Sequence, residues 1–157
     1  MEALRVFHTV SPWLVAAALI VAAASDLRSY EIPDSINAAI GILYFAYAMS
    51  APGSVDFASA CIIALIVFLV GVGLFSAGVF GGGDVKLIAA TTLWAGPSLV
   101  LPFLVVTALA GGLLSLTVLT RAQLVGRGSV ATARPSVPYG VAIAAGGIYV
   151  VTCISSL

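Results

Sequence analysis

Long apolar runs separated by short polar breaks make up nearly all of this chain. The first run ends at Ala22-Ala23-Ala24 and gives way to Ser25-Asp26-Leu27-Arg28-Ser29-Tyr30-Glu31-Ile32-Pro33-Asp34-Ser35. Pro33 pushes Ile32 out of helical geometry, so this polar stretch reads as a tight loop between spans. Ile36 to Met49 is a short run, and Ser50-Ala51-Pro52-Gly53-Ser54 is a turn by its Pro-Gly pair. Phe57 to Phe80 is ample for a bilayer, which needs about 20 apolar residues. Its Gly71, Gly73, Ala77 and Gly78 form a small-residue face of the kind that lets membrane helices approach closely. From Val85 to Thr120 the one clear punctuation is Ala95-Gly96-Pro97-Ser98, which divides the segment into two unequal spans. Arg121 to Pro138 is a long polar loop, and Tyr139 to Ile154 is the last run.

The pattern predicts an all-α membrane protein, a polytopic bundle of about six transmembrane helices near 10–25, 36–50, 57–80, 85–97, 99–120 and 138–155. The fourth is the weakest: Val85 to Ala95 rises only about 17 Å as a helix, against a hydrocarbon core of about 30 Å. It is expected to lie obliquely or to extend past Pro97. The first run, with Arg5 ahead of it and small residues at its end, also has the outline of a secretory signal peptide. Retention as a first span is the preferred reading, because the rest of the chain is itself membrane-embedded.

Composition agrees with an integral membrane protein. Of 157 residues, 62% are hydrophobic and 8% charged, with mean hydropathy +1.21, whereas a soluble domain carries about 25% charge. Residues 1–157 are expected to form one membrane domain, with no room for a separate soluble catalytic module. Any chemistry must then come from the few polar residues near the membrane surfaces. Net charge is zero and the basic residues are scattered, which excludes a phosphate-tracking stripe and, with it, nucleic acid as a partner. Membrane lipid is the expected surrounding. Cys61 and Cys153 sit inside apolar runs without CxxC spacing and read as packing residues, so neither metal nor cofactor is expected.

Six spans put the breaks at Arg28, at Lys86 and at Arg121, Arg127 and Arg134 on one face. By the positive-inside bias that face is cytoplasmic. Arg5 is the exception, offset by Glu2.

Ionisable residues at the membrane are candidates for function by default. Gly81-Gly82-Gly83-Asp84-Val85-Lys86 places a carboxylate and an ammonium between two long apolar runs. Glycines there suit a bend or the close approach of another chain, and put Asp84 on a mobile loop. Asp26 ends the first span and Asp84 follows the third, so parity brings both to one face. Two carboxylates held close share a proton and titrate as a unit. One can draw a proton from water while the other polarises a peptide carbonyl, as in aspartic proteases. The bland alternative is that Asp26, Arg28, Asp84 and Lys86 are interfacial charges flanking spans. For Asp34 it is capping of the helix that follows.

Gly81-Gly82-Gly83-Asp84 fits the GxGD motif of membrane aspartic proteases, and Asp84-Val85-Lys86-Leu87 continues as in the prepilin peptidases. Asp26-Leu27-Arg28 followed by Ile32-Pro33 resembles that family's other half, with Asp34 where asparagine is usual. Pro138-Tyr139-Gly140-Val141-Ala142-Ile143 is similar to its last segment, so the likeness covers nearly the whole chain. The resemblance is to the short form associated with tight-adherence (Flp, type IVb) pili. It implies a bacterial inner-membrane, multi-pass endopeptidase that cuts the leader from a prepilin or pseudopilin precursor on the cytoplasmic side, without a metal. Pilus assembly machinery is a possible further partner.

The resulting site has Asp26 and Asp84 as catalytic residues, supported by Gly81, Gly83, Lys86 and Arg28. Lys86 and Arg28 could each orient a carboxylate by a charge-assisted hydrogen bond, or serve only as positive-inside markers. The sequence singles out no substrate-binding residues. His8 reads as interfacial, and Trp13 and Trp94 as interface anchors. A rival of another class is a small transporter or channel subunit binding ions or protons through its acids. That reading prefers acids near the midplane and related halves, whereas these sit at span ends. A pilin-like precursor among the neighbouring genes would favour the peptidase.

Overall fold

The computed structural model describes residues 2–50, 53, 55–125 and 138–156, with side chains of the 82–125 helix described up to 121. The described residues are mostly helical and contain no strand. In order, the helices are α1 (Glu2–Ser29), α2 (Asp34–Ser50), α3 (Phe57–Ser76), α4 (Gly82–Val125) and α5 (Tyr139–Ser155). The arginine loop, with Arg127 and Arg134, and most of the turn at 50–54 lie outside the described residues. Three helical segments are long and apolar enough to cross a membrane: Glu2–Ser29, Phe57–Ser76 and Gly82–Arg121.

Five helical stretches are described, and α4 is two helices joined at a break at Gly96, where φ is 56° and ψ −168°, the place where the sequence divides this segment into two unequal arms. That backbone region is essentially open only to glycine. Pro97 adds to the break, since the residue before a proline is pushed away from helical geometry. The two arms of α4 run past α5 in opposite directions. Thr91 of the first arm lies against Gly147, while in the second arm Phe103 and Thr107 lie against Gly146, and Gly111 lies against Ala142 and Tyr139. The chain therefore doubles back at Gly96.

Burial explains why so short a first arm is tolerated. Val85, Leu87, Ile88, Ala90, Thr91, Thr92, Trp94 and Ala95 are all buried, so neighbouring helices rather than lipid surround this arm. It joins Val15 and Leu19 of α1, Ile40 and Tyr44 of α2, and Ile143, Val150 and Val151 of α5 in one core. Thr91 and Thr92 direct their hydroxyls to the carbonyls of Leu87 and Ile88, at 2.8 and 2.7 Å, which satisfies them without leaving the helix. Leu65, Ile66, Leu69, Leu101, Leu109 and Leu113 are exposed, as expected of surfaces that meet lipid.

Other expectations change in detail. α3 stops at Ser76, short of Phe80, because Gly78 (φ 70°) turns the chain left-handed. The Gly78 N–H then bonds the Phe75 carbonyl and the Val79 N–H the Leu74 carbonyl, both at 2.9 Å, a standard helix ending. Of the expected small-residue face, Gly71 is a true close approach: a methyl group there would lie 2.8 Å from Val85 Cγ1, while at Gly73 it would meet nothing within 4 Å. Trp13 is exposed, but Trp94 is buried and donates its Nε1–H to the Ile40 carbonyl at 3.1 Å. Trp94 is therefore a packing residue rather than an interface anchor. His8 bonds Ser50 Oγ at 2.8 Å and packs on Tyr47, pinning the start of α1 to the end of α2.

The bend gives one prediction. Gly96→Ala forces a side chain into a backbone region that costs of order 1–3 kcal/mol, so the variant should unfold at a lower temperature in detergent. Gly41→Ala is the control: it lies within α2, where an added methyl meets nothing within 4 Å. It should be neutral or slightly stabilising.

Candidate active site

Three helix ends meet around one side chain, Ile32. α1 ends at Ser29, and Tyr30 takes φ 55°, the one positive φ outside glycine among the described residues. Its N–H still reaches the Asp26 carbonyl, at 2.9 Å. Ser25 directs its hydroxyl to the Glu31 carbonyl at 2.8 Å, and Ser29 directs its own to the Ser25 carbonyl at 2.9 Å. The turn so fixed delivers Ile32, which is buried, against the first residues of both α4 and α5. A methyl group on Gly83 would lie 3.1 Å from Ile32 Cβ and 3.3 Å from its carbonyl oxygen; one on Gly140 would lie 2.9 Å from Ile32 Cδ1.

Asp26 sits in the penultimate turn of α1 and is 4% exposed. Its Oδ2 accepts the Gly140 N–H at 2.7 Å. The first N–H groups of a helix have no partner within it, and Pro138, at the N-cap of α5, supplies no side-chain cap. Asp26 therefore caps α5 from another helix, where the helix dipole favours a carboxylate. A methyl group on Gly140 would lie 2.8 Å from Asp26 Oδ2 and 3.0 Å from its Cβ, so the contact has room only for glycine.

Asp84 stands in the first turn of α4 and is 9% exposed. The glycine run before it is not the expected loop. Gly82 and Gly83 are already helical, and none of Gly81, Gly82 or Gly83 has a positive φ. These glycines serve close approach rather than bending: Gly83 lies on the Ile32 backbone, and a methyl on Gly81 would meet Asp84 Oδ2 at 2.9 Å. That Oδ2 accepts the Gly81 N–H at 3.2 Å, while Oδ1 is buried without a partner.

Asp26 and Asp84 line the same cavity, of about 250 Å³, together with Tyr30, Glu31, Ile32, Asp34 and Gly81, Gly82 and Gly83. A larger cavity of about 680 Å³ lies between α3, the second arm of α4 and α5. Its lining holds no carboxylate, histidine or cation, so it offers no hydrolytic chemistry. Phe80 and Tyr139, with ring centroids 5.1 Å apart, belong to that larger cavity, and Phe80 directly precedes Gly81 of the smaller one.

The supporting cations are placed elsewhere than expected. Lys86 Nζ bonds both oxygens of Asp34, at 2.8 and 2.7 Å, and not the buried carboxylates. Both side chains are half exposed or more, and such a surface pair contributes at most about 1 kcal/mol. Its effect is to tie the start of α2 to the start of α4. Asp34 accordingly spends its oxygens on Lys86 rather than on capping α2. Arg28 is exposed in the last turn of α1, where a cation suits the helix C-terminus.

Two contributors went unread in the sequence. Asn37 is 7% exposed, and its Nδ2 reaches the Gly83 carbonyl at 3.4 Å, with Oδ1 left unpartnered. Its position one turn after Pro33 carried no signal. Gly140 was visible within Pro138-Tyr139-Gly140, but nothing in its spacing points to Asp26.

Comparison with curated proteins and with solved structures gives no match. A sequence model of the type IV leader peptidase family matches residues 13–116, two thirds of the chain and the part that carries Asp26, Ile32, Asn37 and Asp84. A helical, lipid-facing bundle that buries two carboxylates at one end and matches over that stretch belongs to the type IV leader peptidase family, and is a peptidase.

Proposed function

We propose that the protein is an aspartic endopeptidase of the bacterial inner membrane that removes the leader of type IVb (Flp) prepilins at the cytoplasmic face. The observation that carries this reading is the shared cavity of Asp26 and Asp84, two buried carboxylates from different helices with no basic side chain between them. A water between them loses a proton to the ionised carboxylate as it attacks the peptide carbonyl. The protonated carboxylate donates to the carbonyl oxygen. Asp84 Oδ1, buried and unpartnered, is free for either part. The Gly140 N–H holds Asp26 in place through Oδ2.

The cytoplasmic assignment rests on charge. Arg28 ends α1, Lys86 begins α4, and Arg121 follows Gly111 along the arm that returns toward Tyr139. Three basic residues therefore gather at the carboxylate end, as the positive-inside bias requires of a cytoplasmic end. Two measurements test the proposal. The purified protein should cut a Flp-type prepilin between leader and mature chain. In a variant with Cys61 and Cys153 replaced by alanine, Arg127→Cys should react with an impermeant maleimide only from the cytoplasmic side. Labelling from the periplasm alone would reverse the assigned orientation.

A further inference from the structure

A third cavity, about 620 Å³, lies at the other end of the bundle, between α2, the start of α3, the bend of α4 and the last turn of α5. Along α4 the rise from Asp84 to Trp94 is about 15 Å, so this cavity is remote from the carboxylate site. Nothing in the proposed peptidase chemistry uses it.

Its lining combines two features that favour a positive charge. Tyr44, Tyr47 and Trp94 supply aromatic rings, with Trp94 centred 5.1 Å from Tyr47 and 5.8 Å from Tyr44. Aromatics that anchor a protein in the interface face lipid, but Tyr44 and Trp94 are 3% and 5% exposed, and both line the cavity. Asp56, the N-cap of α3, supplies a carboxylate, and the lining contains no lysine, arginine or histidine. Hydrogen bonds from Ser59 hold the Asp56 carboxyl below its usual range, so it is ionised at neutral pH. Two helix C-termini, of the first arm of α4 and of α5, and two N-termini, of α3 and of the second arm of α4, reach this space, so their partial charges offset one another.

We propose that this cavity binds an organic ammonium group, held against the rings of Tyr44, Tyr47 and Trp94 and paired with Asp56. The faces of tryptophan and tyrosine attract such cations, most strongly where water is excluded. An anion would be repelled by the Asp56 carboxylate, and a neutral group would forgo its attraction. The chemistry is that of an ethanolamine headgroup, carried by a phospholipid or free in solution.

The chain has two tryptophans, so Trp13→Phe leaves Trp94 as the one indole reporter. In phosphatidylglycerol nanodiscs, its emission is followed as phosphatidylethanolamine is added to the bilayer, and separately as ethanolamine is added to the buffer. A saturable change is expected, absent with N-acetylated phosphatidylethanolamine, which has lost the charge. Asp56→Asn keeps the cap on α3, since its amide oxygen accepts the Ser59 N–H, and should shift the midpoint about tenfold, the size expected for losing a charged partner. Tyr47→Leu should shift it in the same direction, and both variants should lose at most a modest part of the parental prepilin-cleavage rate. Saturation by the lipid alone assigns the headgroup as ligand, and saturation by free ethanolamine as well assigns the amine itself. A response without saturation, an equal response to the N-acetylated lipid, or parental midpoints in both variants would overturn the proposal.

Discussion

Asparagine at position 26 or position 84 is expected to lower prepilin cleavage by roughly 10²–10⁴-fold, the range supplied by a positioned general acid or base. Each replacement preserves shape. At position 26 the amide oxygen can still accept the Gly140 N–H now held at 2.7 Å, so α5 keeps its cap and the fold should persist. What is lost is the ability to take up and release a proton. Because two carboxylates on one cavity act as a unit, the double variant should be little worse than either single one. Glu31→Gln, Asp34→Asn and Asp56→Asn are the comparison set. Glu31 and Asp34 line the same cavity, but both are exposed, as is Asp56, and modest losses are expected for all three. Initial rates on a purified prepilin decide the matter. Near-parental cleavage by a correctly folded Asp26→Asn or Asp84→Asn protein would remove that residue from the chemistry.

Gly140→Ala should be nearly as damaging, although it alters no ionisable group. The added methyl would lie 2.8 Å from Asp26 Oδ2, 2.9 Å from Ile32 Cδ1 and 3.0 Å from Asp26 Cβ. Two of these neighbours are buried side chains with little room to give, and overpacking of this kind costs about 1–3 kcal/mol. The relief available is to displace the Asp26 carboxylate or the start of α5, and a shift of about 1 Å at a reacting group can cost about 10²-fold in rate. The variant should therefore lose turnover far more than it loses folded protein. Comparing kcat with the thermal midpoint in detergent separates the two effects. Gly112→Ala is the control, since a methyl there meets nothing within 4 Å. A Gly140→Ala enzyme with parental kcat would show that the α5 contact does not position Asp26.

Much of the fold was legible because a bilayer simplifies the reading. Apolar runs must be helices where no water can satisfy the backbone, and polar breaks such as Ser25–Ser35 must be their ends. The break at Gly96-Pro97 was legible for the same reason, being a position that only glycine tolerates followed by a residue without an N–H. Less legible was that the short first arm is buried among other helices. Whether a short apolar arm crosses lipid or is sheltered by protein depends on what surrounds it, and sequence contains no neighbours.

The candidate site divides along the same line. By itself the sequence determined that the chain is an all-helical membrane protein, that it resembles the leader peptidases, and that Asp26 and Asp84 are its notable acids. Those conclusions follow from composition, local backbone rules and a short motif, all of which are properties of consecutive residues. Only the tertiary structure decided that Asp84 begins a helix instead of riding on a loop, that Lys86 belongs to Asp34, that Trp94 faces inward, and that Gly140 caps its helix with Asp26. The last three are contacts between segments far apart in the chain. Such contacts are set by packing, where a few tenths of an ångström around Ile32 separate a glycine from every other residue.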